Sequence, residues 1–353
     1  MSIRSVSDYS LVQAVVRARY SMMLMPETWT TLLQAEDYDA VLSALSRTVY
    51  GPYLRLERQA LTPRRAVYQI RWQLVAAYEK LIELTPEPGC QLLLQLWRVY
   101  EVDNLKATLR GVENGASWDR VRFLLAPMIG QAMLTTTDME AMIRTGAMAR
   151  AIERTRHTPY YEPLIHAFER YQVEKNLFPL EVALDLQYRR TLWHTIEELP
   201  GEDHVQAMRL VGTMLDMDNL LWAIRYRVYH HLSEQEIINY TLPLGYQVRD
   251  EDIRAIARGA DIAEVVGRIY RGVDGLAQLS FDEPRAALGK LEHALEQLVV
   301  RRCRDTFMGE PFHVGMPVAY LLLNEQETKN LISIIEAKAS RLSREALEAL
   351  VVL

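Results

Sequence analysis

The chain has 353 residues, 49% of them hydrophobic and 24% charged, an ordinary globular composition long enough for two or three domains with a sizeable core. A net charge of −6 and a pI near 5.8 give no basic footprint for nucleic acid. No apolar run approaches the roughly 18 to 20 residues that span a bilayer, the N-terminus MSIRSVSDYS carries no apolar signal core, and Cys90 and Cys303 are too few for a disulfide framework or a cysteine-built metal site.

These features predict a soluble, cytoplasmic protein in a reducing compartment, with each cysteine acting as a small buried hydrophobe. Docking onto a membrane protein needs no spanning helix and remains open.

In chain order, Leu11 to Met25 reads as a helix stopped by Pro26, and Trp29 to Leu33 begins a second short one. Asp37 to Arg47 places Val41, Leu42 and Leu45 at helical spacing and closes on the turn signal Thr48-Val49-Tyr50-Gly51-Pro52. From Thr62-Pro63 to Leu84 strong helix formers carry Ala66, Ile70, Leu74 and Ala77 or Tyr78 on one face, which predicts a long amphipathic helix broken by Pro86-Glu87-Pro88-Gly89. The stretch Glu101 to Arg110, EVDNLKATLR, follows. Its wording returns as DMDNLLWAIR, Asp216 to Arg225, and as ETKNLISIIE, Glu327 to Glu336. After the first copy Ser117-Trp118-Asp119 opens a short helix; after the second, Ser233 and Glu236 have capping-box spacing; after the third, a helix can begin at Ser343.

Copies at a period of roughly 110 residues mean one supersecondary unit used several times. Thr48-x-Tyr50-x-x-x-Leu54 is matched by Thr158-x-Tyr160-x-x-x-Leu164, with Tyr270 one further period on. Little of the chain alternates as a strand would. The expectation is therefore an all-α protein of three tandem helical units, bounded near 1–115, 116–232 and 233–353. The first unit reads as divergent, with Asp8 to Arg17 as its counterpart of the repeated stretch. The C-terminal fragment is expected to pack back near that unit, closing a pseudo-threefold arrangement.

On a helix, Val102, Leu105 and Leu109 form an apolar stripe edged by Glu101 and Asn104 on one side and Arg110 on the other. Met217, Leu220 and Ile224 repeat it, as do Thr328, Leu331 and Ile335, with Glu336 where arginine was expected. Two readings stand: the polar edges brace neighbouring backbone, or they line a shared cavity or docking surface. We expect the brace.

No phosphate loop, dinucleotide fingerprint, H-E-x-x-H or paired C-x-x-C occurs, so no catalytic, cofactor-binding or metal residue is assigned. Adjacent His230 and His231 point about 100° apart on a helix and do not suit chelation. Glu197-Glu198 and Asp250-Glu251-Asp252 read as solvated charge, the latter in a turn. Three basic clusters, Arg64-Arg65, Arg189-Arg190 and Arg301-Arg302, are candidate surfaces for an acidic partner, and Met22, Met23 and Met25 form a plastic cluster before Pro26. A helical enzyme with a carboxylate metal site built from Glu101, Asp216 and Glu327 is a rival, although the Glu-x-x-His pattern of such sites is missing. A generic helical-repeat scaffold is another.

Tyr9 with Arg17-Ala18-Arg19, Leu45-x-x-Thr48-Val49-Tyr50-Gly51, Tyr100 to Gly111, Asp216-x-Asp218-Asn219-Leu220 through Arg225, and Pro311-Phe312 with Tyr320-Leu321-Leu322 and Glu327-x-x-Asn330-Leu331 together resemble one family: the d subunit of eukaryotic V-type ATPases, known as the C subunit in the archaeal-type complexes of bacteria and archaea. The resemblance runs from about residue 9 to 350. It implies a funnel-shaped, all-helical rotor subunit without an active site or cofactor. Such a subunit sits on the cytoplasmic face of the membrane rotor ring, receives the tip of the central axle, and passes torque between the ATP-hydrolysing head and ion translocation.

Overall fold

Residues 3–55, 61–273, 275–276, 279–281 and 283–353 are described by the computed structural model, without the side chains of 3–5, 284 and 285. Helices dominate these residues and none of them lies in a strand. Contacts divide the chain into two units, one running through Leu192 and including Tyr320–Val351, the other comprising Trp193–Ala319 with Val352–Leu353.

The first unit begins with α1 (Ile3–Tyr20), α2 (Pro26–Gln34), α3 (Tyr38–Leu45) and a 3-10 turn at Gly51–Leu54. It continues with α4 (Pro63–Leu84), α5 (Gly89–Glu113), α6 (Trp118–Val121), α7 (Thr136–Arg144), α8 (Met148–Glu153), α9 (Tyr161–Glu174) and most of α10 (Phe178–Glu197). The second unit holds α11 (Gly201–Ala207), α12 (Thr213–Val228), α13 (Glu234–Asn239), α14 (Asp250–Ala257), α15 (Ile262–Ile269) and α16 (Pro284–Thr306). The chain returns to the first unit within α17 (Gly315–Ala339), and α18 (Arg344–Glu348) follows.

Local chemistry sets the helix ends. The Asp37 carboxylate accepts the Ala40 N–H at 2.9 Å to start α3, and Thr62 caps α4 with Pro63 in its first turn. Ser233 and Glu236 form the expected reciprocal box, at 3.0 Å from the Ser233 N–H and 3.4 Å from the Glu236 N–H. Ser343 accepts the Ala346 N–H and opens α18.

Pro26 does not stop the first helix. That helix ends at Tyr20, Ser21–Met25 form a turn, and Pro26 starts α2 at the position where its missing N–H costs nothing. The Asp250-Glu251-Asp252 run is the first turn of α14, where carboxylates meet the positive helix end. Asp252 is buried there, accepting the Arg249 N–H at 2.9 Å and pairing with Arg268, so solvated turn charge does not describe it. Cys303 is buried as expected, but Cys90 is half-buried, in the first turn of α5.

Within the first unit, Ala66, Ile70, Leu74, Ala77, Tyr78 and Leu81 of α4 are all buried, as their spacing requires. Tyr78 meets Trp97 of α5 edge-on at 5.3 Å, and Trp97 meets Tyr100 at 4.7 Å. Each such pair adds about 0.5–1.5 kcal/mol beyond its burial. The C-terminal fragment does return to the first third of the chain: Leu331, Ile334 and Ile335 of α17, with Leu347 and Val351, share one core with Trp29, Leu32, Val41, Leu45, Tyr50 and Ile70. In the second unit α11 runs through a π turn, Met208–Gly212, into α12. The Arg227 guanidinium caps the end of α14 by donating to the carbonyls of Ile256, Gly259 and Ala260 at 2.6–3.2 Å.

Candidate functional site

The repeated stretch falls on α5, α12 and α17, and its acid and asparagine are buried in every copy. Asn104 grips the backbone of Ala126 with both ends of its amide: Nδ2 donates to the carbonyl at 2.9 Å, and Oδ1 accepts the N–H at 2.7 Å. Asn219 does the same to Leu242, at 2.9 and 2.8 Å. An amide is the one neutral side chain that can mimic a peptide on both sides, which is why this position reads Asn.

The acids hold a second strip of loop. Glu101 accepts the Leu134 N–H at 2.6 Å. Asp216 accepts the N–H groups of Tyr246, Gln247 and Val248 at 2.8, 2.6 and 3.2 Å. Glu327 accepts the Leu24 N–H at 2.9 Å and the Tyr50 hydroxyl at 2.8 Å. Burial raises all three carboxyl pKa values, to about 6 for Asp216 and about 7 for Glu327, against the opposing pull of those donors.

Each acid also has a tyrosine from the second recurring motif. Tyr50 donates to Glu327. Burial, then the Glu101 charge, raises the Tyr160 phenol; burial, then the Asp216 charge, raises Tyr270. Tyr50 thus bonds the acid of the third copy, while Tyr160 and Tyr270 feel the charge of the first and second acids without a hydrogen bond from either hydroxyl. The acid that Tyr50 meets is Glu327, so the repeated helix serving the first third of the chain is the third copy. The assignment of Asp8 to Arg17 as that counterpart is replaced: those residues belong to α1, and the chain supplies the missing helix from its other end.

The basic edges are ties between helices. Arg110 pairs with Glu181 of α10 at 2.6 Å, and Lys106 with Asp185 at 2.8 Å. Arg225 pairs with Glu292 of α16 at 2.7 Å. In the third copy Glu336 stands in the place of the arginine and lines a groove with Arg64 and Arg71 of α4.

The six candidate interface arginines separate by exposure. Arg64, Arg65, Arg190 and Arg301 are exposed. The Arg189 side chain is 12% exposed, pairs with Asp185 at 3.5 Å and lies over the Tyr188 ring. Arg302 is half-buried, donating to the Thr213 hydroxyl, to the Arg209 carbonyl at 3.4 Å and to Gln247 Oε1 at 2.7 Å, so much of its hydrogen-bonding capacity is used within its own unit. Met22 and Met25 are exposed on the turn that Glu327 holds. His230, His231, Glu197 and Glu198 are exposed as expected.

Sequence reading missed Glu325, which receives the Tyr78 hydroxyl and faces Tyr100, and whose pKa burial pushes up to about 7. The signal was available: the equivalent residues of the other copies are Val99 and Met214, so a carboxylate stands where the repeat is apolar. Among the described residues no group of His, Cys, Asp or Glu forms a metal cluster, and no helix is long and apolar enough to cross a membrane.

The features found are those of an all-helical protein whose repeated polar residues brace its own backbone. The chain matches the family model described as ATP synthase (C/AC39) subunit over residues 12–350 and belongs to that family. It is similar to the C subunit of the A-type ATP synthase of Methanocaldococcus jannaschii, with 21% identity covering 98% of this chain and 87% of that protein. The protein of the same name from Haloferax volcanii is 22% identical and the match covers 99% of each chain. That from Methanothermobacter thermautotrophicus is 24% identical over 96% and 86%.

Proposed function

We propose that this chain is a non-catalytic central-stalk subunit of a V/A-type rotary ATPase, joining the axle of the ATP-hydrolysing head to the membrane rotor ring in proton or sodium transport. It has no active site or cofactor of its own. Its partners are the axle subunits and the ring subunits, and it sits peripherally on the cytoplasmic face of the membrane. The observation that carries this reading is the family match over nearly the whole chain, together with buried acids and asparagines that brace loops instead of facing a substrate.

The chain is read as three repeats near 1–115, 116–232 and 233–353, and the Tyr50–Glu327 bond supports the last lending its helix to the first. A torque coupling of this kind depends on shape and charge matching at broad interfaces, to which the exposed Arg64, Arg65, Arg190 and Arg301 contribute, with Arg189 and Arg302 at their margins. Omission and re-addition test the role. Complexes assembled without the chain are expected to hydrolyse ATP without pumping ions, and re-addition to restore pumping. Full ion transport without it would refute the proposal.

A further inference from the structure

The seams beside the repeated helices are closed by charge in two copies and left open in the third. Arg110 and Lys106 are tied to Glu181 and Asp185 of α10, and Arg225 to Glu292 of α16. In the third copy, within the first unit, Ile334 and Ile335 of α17 share a core with Ala66 and Ile70 of α4. Outside that core Arg64, Arg71 and Glu336 line a groove of about 430 Å³, and among the described residues none of the three forms an ion pair.

The third wall of the groove is the turn that follows α6, and it carries apolar side chains outward. Phe123 and Leu124 are 43% and 56% exposed. The repeat does not require them. Counted from the peptide that the asparagine grips, the matching residues of the second copy are Asn239, polar and exposed, and Tyr240, which is 8% exposed. The Arg122 guanidinium lies over the Phe123 ring, 4.7 Å from its centre. Asn104 holds the nearby Ala126 peptide by both its groups, so the apolar pair is positioned before anything binds. A lip ordered in advance spends less entropy on association.

We propose that this groove docks an amphipathic helix of a partner protein, with its apolar stripe on Val67, Phe123 and Leu124 and its carboxylates on Arg64 and Arg71. A groove walled by two helices and an apolar lip takes a helix by anchors spaced one turn apart. Charge selects which helix. Two arginines against one glutamate give the lining a positive balance on a chain of net charge −6, and a guanidinium fork suits a carboxylate. Both arginines stand on the α4 wall and Glu336 on the α17 wall, so the acidic edge of the guest faces α4 and its other edge carries no acid. A groove paired face to face with its own copy would gather four arginines around two glutamates, which favours a different protein as the occupant. The inference rests on the proposed role only in taking the chain to be one subunit of a larger assembly.

The test is photo-cross-linking in the assembled state. The full chain carrying Phe123→p-benzoylphenylalanine is captured from gently solubilised membranes and irradiated, and the linked peptides are identified by mass spectrometry. We expect a link to another polypeptide, at a helical segment with Asp or Glu along one edge of its apolar stripe. Adding Arg64→Glu with Arg71→Glu is expected to lower the yield of that link about tenfold at low salt, the effect of losing two exposed ion pairs. The melting temperature of the chain alone is expected to hold, since neither arginine is buried. Links only to a second copy of this chain, to lipid or to a segment without acidic residues would overturn the proposal, as would a yield unmoved by the charge reversal. Capture of axle and ring subunits with no link from position 123 overturns this inference alone. A link to an acidic helix of a protein outside any rotary ATPase would leave the groove standing and overturn the proposed role.

Discussion

Asn104 and Asn219 make the same pair of bonds in different surroundings, and the surroundings set their worth. Leu242, gripped by Asn219, is buried, whereas Ala126, gripped by Asn104, is half-buried. Removing an amide from a buried peptide leaves a donor and an acceptor without water to replace it. Asn219→Ala is therefore expected to cost about 2–4 kcal/mol, and Asn104→Ala about 1–2, because water reaches the Ala126 peptide. Denaturant unfolding of both variants measures the difference; equal losses would show that the local loop, not solvent access, decides. These roles were legible in part. The spacing of the copies marked the acid and the asparagine as a pair, and the brace was the expected reading. The loop peptides they grip, 22 and 23 residues further on, carry no side-chain signal, because the contact is to backbone.

At the scale of elements, two glycines decide how closely loops approach the repeated helices. A Cβ on Gly245 would fall 1.8 Å from the Val248 carbonyl oxygen and 2.8 Å from Asp216 Oδ1, inside the loop that Asp216 holds. A Cβ on Gly111 would meet Ile143 Cδ1 at 2.6 Å and Val121 Cγ2 at 2.7 Å, both free ends of side chains. Backbone cannot yield as a methyl can. Gly245→Ala is expected to cost more than about 3 kcal/mol and Gly111→Ala about 1–2, with the order reversed if the 245 loop can shift without losing its bonds; calorimetry of the pair reads this directly. The extent of α4 followed from its periodicity, whereas the end of α1 did not. Apolar Met22 to Met25 continue a helical composition, and a carboxylate 303 residues away takes the Leu24 N–H and ends it.

For the whole molecule, composition and missing motifs pointed away from catalysis, and the recurring stretch carried the expectation of three repeats. What the sequence did not order was which tyrosine goes with which acid. A tyrosine at 50 and an acid at 327 meet because the chain returns to its start, a return the sequence reading expected while assigning the repeated helix of the first unit to Asp8 to Arg17 instead. The same contact lies within the first unit, where the first and last parts of the chain share one core. Membership of a rotary complex through axle and ring is tested most directly by affinity capture of the full chain from gently solubilised membranes, with cross-linking and identification of the linked peptides. Axle and ring subunits are expected to be recovered together, with cross-links on two separate faces of the chain. Recovery of neither would contradict the proposed role.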